Sequence, residues 1–276
     1  MAKAPDVVDK GLKPRYVSGV LTHRFDFTFA TLVADDQRYQ RLVNSLQANG
    51  FDSENTELIA LDNRNENNFD GYTCLRRSLA EAQGRYIVVT HDDVELLNDG
   101  FDDLKRNLDE LTGLDAGWAI AGNAGGTARG RIARHISDPI GDSSIAAPER
   151  VESLDENFII VRRERIVLHS LDLTGFHFYG SDLCLQAETQ GVGGAYVIPF
   201  KLRHHSRGRL DESYYRSRGQ FSAKYSRIFP HRRFSTTVGT LYIGGPTPLQ
   251  RGHLFAEQVR KIAMRVVRRF KRAVTQ

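Results

Sequence analysis

The chain has 276 residues, of which 40% are apolar and 26% charged, with a formal net charge of +4. Such a composition excludes a disordered or fibrous chain and allows one large domain or two small ones with a sizeable core. Nothing approaches ~18 consecutive apolar residues, so neither a spanning helix nor a signal peptide is expected and a cytoplasmic location is.

The charge is unevenly placed. Residues 1–200 carry 20 basic and 31 acidic side chains, residues 201–233 carry 10 and 2, and residues 251–276 carry 8 and 1. An acidic body with a basic C-terminal third directs anions towards the latter. The two cysteines, Cys74 and Cys184, fall in expected helices among apolar neighbours, which favours buried thiols over a disulfide.

In chain order, "FTFATLV" (27–33) predicts a buried strand, and "ADDQRYQRLVNSLQANG" a helix with Tyr39, Leu42, Val43 and Leu46 on one face, stopped by Gly50. "TELIAL" (56–61) predicts a second strand ending at Asp62. A helix over 71–84 turns Tyr72, Leu75, Leu79 and Ala82 inward, and "RYIVVT" is a third strand. This alternation favours a mainly parallel α/β sheet covered on both faces. A helix over 98–112, a strand at 116–122 holding Trp118 in the core, and a long Gly-rich substrate loop follow. Further strands are expected at 157–166 and 195–200, around a helix over 181–191 capped by Ser181. The boundaries expected are an N-terminal extension (1–26), a main domain (27–233) and an extension (234–276) holding a basic amphipathic helix.

Ligands of open α/β sheets collect at the carboxyl ends of the strands, and three such ends here are acidic: Asp35/Asp36, Asp62 and Asp92/Asp93. Charge crowded on one rim calls for a cation or a hydrogen-bonding ligand, and carboxylates suit Mg²⁺ or Mn²⁺ bridged to phosphates. A solvated acidic loop is the alternative. Asp182, at a helix start, gains from the helix dipole in either reading.

Taken together, "LIALDN", "AEAQGRYIVVTHDDVEL", "YGSDLCLQAETQG" and "HHSRG" occur in an order that resembles the GT-A glycosyltransferases, near the family-2-like bacterial enzymes that use nucleotide-sugar donors. The resemblance covers residues 27–208 and implies a Rossmann-like mixed sheet, a Mn²⁺ or Mg²⁺ cofactor, a nucleotide-diphosphate sugar donor and a hydroxyl acceptor. It further implies that Asp62 meets the nucleobase, that Asp93 is the metal ligand of the D-x-D, and that Asp92 lies near the donor ribose or sugar, with Asp35 on the same donor side. His205, or else His204, would add a metal ligand, and Asp182 would be the base of an inverting transfer. Arg203, Arg207 and Arg209 would assist the diphosphate, and Asp155 would touch the sugar or the acceptor. His91 stands where the family often has an Asp, and Ser181 where it usually has an acid.

The implied setting is polysaccharide or glycoconjugate synthesis. The C-terminal helix would serve as a peripheral contact with an anionic membrane, as a docking or self-association element, or as a solvated end. Two other readings compete. One is a donor-binding protein with weak catalysis. The other is nucleic-acid binding through residues 201–233, where "YYRSRGQFSAKYSR" interleaves aromatics and arginines; the acidic body argues against nucleic acid.

Overall fold

The computed structural model describes residues 19–206, 208 and 210–245. The expected C-terminal amphipathic helix, Arg207 and Arg209 lie outside the described residues.

The first half follows the predicted alternation. Strand β1 (Phe25–Val33) leads to helix α1 (Asp36–Ala48), which Asp35 starts by accepting the N–H of Arg38 and which buries Leu42 and Leu46. After β2 (Thr56–Asp62), helix α2 (Gly71–Glu81) opens on a capping box between Asp70 and Thr73. Strand β3 (Gly84–His91) and the short β4 (Val94–Leu96) precede α3 (Phe101–Leu114), which buries Leu104, Leu108 and Leu111 at helical spacing. Strand β5 (Ile120–Gly122) follows.

The Gly-rich stretch is not a single loop. It folds into β6 (Ala124–Gly126), β7 (Ile132–Arg134), β8 (Ile136–Asp138), β9 (Gly141–Ser143) and β10 (Glu149–Val151). Next come β11 (Ser153–Leu154), β12 (Phe158–Arg162) and α4 (Tyr179–Thr189). The chain continues through β13 (Ala195–Val197), β14 (Leu202–His204), α5 (Glu212–Tyr225), β15 (Arg232–Ser235) and β16 (Thr240–Ile243).

Seven strands form the central sheet, in the order β10-β13-β5-β12-β3-β1-β2. β2, β1 and β3 run parallel, as do β5 and β13, while β12 and β10 are antiparallel to their neighbours. Period-2 alternation divides the core into two layers. Ile87, Val89, Ile159 and Val161 face α2, α4 and α5, whereas Tyr86, Val88, Phe158 and Ile160 face α1 and α3. The expected fold class, a mixed and mainly parallel sheet flanked by helices, is the one the chain adopts. Trp118 is fully buried, and both cysteines are buried free thiols.

Two expectations and one competing reading meet a different arrangement. Helix α4 begins at Tyr179 behind Phe178 in the left-handed region (φ 69°), so Ser181 is its third residue rather than its cap. The boundary expected at 233–234 falls inside β15, and Phe234, Leu241 and Ile243 belong to the core. The β15–β16 hairpin sits so close to β6 that a Cβ on Gly126 would lie 2.2 Å from the carbonyl oxygen of Ser235. Finally, Tyr214, Phe221 and Tyr225 of the basic region are buried on α5 rather than offered for base stacking.

Candidate metal and substrate site

The parallel register sets Leu32 of β1 beside His91 of β3, and Val33 beside Asp62 of β2, along one carboxyl rim. Because β12 runs antiparallel to β3, with Phe158 opposite Thr90, its amino end reaches the same rim carrying Asp155, Glu156 and Asn157. A cavity of about 560 Å³ opens there, within the range of small-molecule sites. His91, Asp155, Glu156, Tyr179 and His204 line its polar part, and Ile140, Phe176, Leu210 and Val238 lie exposed around it.

At the edge of the cavity His91, Asp93 and His204 offer ligand atoms that all lie within 4.8 Å of one another. The Nε2 atom of His204 is 3.4 Å from Oδ1 of Asp93, and Nδ1 of His91 is 3.9 Å from the same oxygen. These separations suit one ion about 2.0–2.2 Å from each donor. Antiparallel pairing builds the cluster, because β14 sets His204 opposite Val94, one residue beyond Asp93. Burial disfavours the charged carboxylate of Asp93, but the His204 hydrogen bond and the nearby imidazoles outweigh it and hold its pKa well below the usual range. Burial likewise opposes the charge on His204, yet Asp93 raises its pKa. His91 is shifted down, first by burial and then by His204.

The second nitrogen of His91, Nε2, lies 3.2 Å from the Tyr179 hydroxyl, which donates its only proton to the carbonyl of Glu156 at 3.1 Å. The tyrosine oxygen must then accept from Nε2–H, leaving the Nδ1 lone pair directed at Asp93. Outer hydrogen bonds of this kind fix the tautomer of a metal-binding imidazole.

The other sequence-derived candidates are placed differently. Asp62 reaches the rim but pairs with Arg64 (Nε to Oδ1 2.8 Å, Nη2 to Oδ2 2.9 Å), which lowers its pKa to about 2. Arg64 also bonds Asp36, and Asp35 is spent as the cap of α1. Asp92 does not turn to the cavity: its Oδ2 accepts the N–H groups of Ala34 and Asp35 at 2.8 and 2.9 Å, beside Arg38. The acidic rim is therefore neutralised mainly by backbone N–H groups and arginines, and Asp93 alone joins the histidines. Of the two adjacent histidines, His204 joins the cluster, whereas Nε2 of His205 lies 3.0 Å from Glu95. Arg203 is exposed and also stands beside Glu95, at 3.9 Å.

Asp182 is fully buried behind the cavity wall. Its carboxylate accepts the N–H of Ser170 (3.1 Å), the Ser170 hydroxyl and the Tyr225 hydroxyl (2.6 Å). Helix α4 starts two residues before the predicted position, so Ser181 meets the cavity and Asp182 ties α4 to α5 and to the segment before it. None of Asp62, Asp93 and Asp182 is among the residues that line the cavity.

Sequence reasoning missed His91 as a cluster member, Tyr179, Glu156, and the Arg134–Asp138 ion pair of the cavity wall. A His directly before an Asp pair was the available signal for the first. Glu156 gave only an acid doublet ahead of a strand.

A mixed, mainly parallel sheet flanked by helices, with a cavity and a His–Asp–His cluster at its carboxyl rim, places the chain in the Rossmann-like α/β class. The chain belongs to the family of the "ATP synthase subunits region ORF 6" protein of Fuscovulum blasticum, with 40% identity over 240 residues, 84% of this chain and 96% of that one. No protein-family model matches the chain. Among solved structures it is similar to GalNAc-T7 with UDP, GalNAc and Mn²⁺, at a TM-score of 0.49 and 9% identity over 74% of this chain; it spans half of that protein's chain (50%).

Proposed function

We propose that the protein is a metal-dependent glycosyltransferase that moves a sugar from a nucleoside-diphosphate donor to a hydroxyl acceptor. The observation that carries the reading is the meeting of His91, Asp93 and His204 beside the cavity, at the strand end where the sequence resembles a D-x-D. Two imidazoles and a carboxylate form a donor set that fits a divalent first-row ion better than Mg²⁺. When bound, such an ion neutralises charge building on a departing diphosphate.

The chain's own residues divide the remaining work. The nucleoside half of the donor extends over the carboxyl ends of β1 and β2, towards Asp35 and Asp62, where Arg64 would exchange partners. Asp93, with His91 and His204, would hold the ion that offsets the charge of the diphosphate end, and Asp92 pins the β1–α1 turn to the cluster. The sugar and the acceptor hydroxyl meet within the cavity. Its exposed rim of Ile140, Phe176, Leu210 and Val238 suits an acceptor with an apolar portion.

No helix among the described residues is long and apolar enough to cross a membrane. A surface role for the basic residues 251–276, against anionic lipid or a second copy, belongs to the same proposal.

The test is a panel of nucleotide sugars with Mn²⁺ or Mg²⁺, reading release of nucleoside diphosphate with and without hydroxyl acceptors. One donor should turn over in a metal-dependent way, and Asp93→Asn should abolish turnover. Silence across the panel with every divalent ion would remove the reading.

A further inference from the structure

We propose that Glu156 is the base that takes the proton from the acceptor hydroxyl, an inference that rests on the glycosyl-transfer reading above. The cavity supplies few candidates for the task. Asp155 has both oxygens engaged: Oδ1 accepts from the N–H and the side-chain amide of Asn157 (3.2 and 2.6 Å), and Oδ2 accepts from the Thr237 hydroxyl (2.9 Å). Asp138 is paired with Arg134, and Asp182 lies in the interior. Glu156 lines the cavity and makes no side-chain ion pair among the described residues; the backbone N–H groups of Phe178 and Gly180 act on its carboxyl more weakly than burial does.

Its position follows from the fold. The β11–β12 turn carries Glu156 to the carboxyl rim because β12 is antiparallel to β3. Across the cavity wall, the left-handed Phe178 turns the chain into α4, and the backbone N–H groups of Phe178 and Gly180 favour the charged form of the Glu156 carboxyl. Through its carbonyl the same residue holds the Tyr179 hydroxyl that orients His91. The base and the metal cluster therefore share one wall of one cavity.

The electrostatics suit the role. Burial, then repulsion from Asp155, pushes the carboxyl up to about 8 against the pull of the backbone N–H groups. The titratable groups facing it are Tyr72 of α2, Tyr179 and Cys184 of α4, Tyr214 of α5, and Asp155. A base with a pKa near the working pH removes a proton most efficiently.

In the step itself the acceptor O–H bond breaks and its proton passes to the Glu156 carboxylate. The oxygen's electron pair forms the new bond to the anomeric carbon, and the carbon–oxygen bond to the diphosphate breaks with its pair leaving on the nucleoside diphosphate. One displacement inverts the anomeric configuration.

Glu156→Gln keeps an oxygen for the N–H groups of α4 but cannot accept the proton. In the full chain with Mn²⁺, nucleoside-diphosphate affinity should stay within about twofold while kcat falls by about 10²–10⁴-fold. The wild-type kcat/KM should rise through a limb near pH 8 that the variant lacks. Formate should restore part of the rate to Glu156→Ala, a ratio taken on one protein and so independent of the fraction folded. A Gln variant within about tenfold of wild type, with the limb intact and no formate rescue of Ala, would overturn the assignment while leaving glycosyl transfer standing. A wild-type chain that binds no nucleoside diphosphate would overturn both.

Discussion

Removing one hydroxyl, by Tyr179→Phe, separates the orientation of the metal cluster from its composition. The Tyr179 oxygen lies 3.2 Å from Nε2 of His91 and 3.1 Å from the carbonyl oxygen of Glu156, while the ring makes an edge contact with Tyr72 at 6.1 Å. Phenylalanine keeps the ring and loses both hydrogen bonds. His91 would then be free to place its proton on Nδ1, the atom facing Asp93, and the lone pair needed for a cation would point away. Loss of such an outer partner costs about 10–100-fold in metal affinity, equivalent to about 1.4–2.7 kcal/mol. The Glu156 carbonyl also loses its donor, which should lower unfolding stability by about 1–3 kcal/mol. Calorimetric titration with Mn²⁺ and chemical denaturation measure the two effects separately. An unchanged Mn²⁺ affinity in Tyr179→Phe, in a protein that loses Mn²⁺ on Asp93→Asn, would refute the tautomer argument and leave the hydroxyl a purely structural role.

Other outcomes follow from the same geometry. Asp182→Asn places an amide among three donors in the interior, so the chain should lose about 2–4 kcal/mol of stability while nucleotide binding by the folded fraction is preserved; a large loss of turnover without loss of stability, measured by denaturation and steady-state assay, would restore Asp182 as the base. With two imidazoles in the cluster, Mn²⁺ should bind at least about tenfold more tightly than Mg²⁺ in competition titrations, and the reverse order would speak against His91 and His204 as ligands. Glu156 keeps its proton in the fold up to about pH 8 but loses it near 4.5 when unfolded, so wild-type stability should fall as pH rises between those values. Glu156→Gln should flatten that decline, by roughly 2–5 kcal/mol across the window, in denaturation curves taken from pH 4 to 9.

The opening strands and helices were legible because each carries its own signal. The unbroken apolar run in "RYIVVT", buried on both faces of the sheet, is read along six residues, and Leu42 and Leu46 are one helical turn apart. Asp93 was legible for the same local reason, as an acid ending a buried strand. The choice between His204 and His205 was not, because it depends on pairing between β14 and β4, two three-residue strands over a hundred positions apart. A one-residue shift in that register exchanges which histidine faces the cluster. The setting of Asp182 was hidden for a different reason. Phe178 occupies a conformation uncommon for an aromatic residue, which moves the start of α4 and rotates Asp182 into the core. Glu156 could not have been located without knowing that β12 enters the sheet antiparallel. The acid-rich rim misled in part, since Asp35 and Asp62 are satisfied by a helix start and an arginine close in sequence, while Asp92 is satisfied by the N–H groups of Ala34 and Asp35 in the distant β1–α1 turn.

Calorimetric binding of a nucleoside-diphosphate panel, with and without Mn²⁺, to the wild-type chain and to Asp93→Asn, His204→Ala and His205→Ala is the decisive measurement for a metal-dependent donor site. The account predicts that one nucleotide binds only with Mn²⁺, that Asp93→Asn and His204→Ala each weaken it by about tenfold or more, and that His205→Ala binds as wild type does. Nucleotide binding indifferent to Mn²⁺, or untouched by Asp93→Asn, would contradict it.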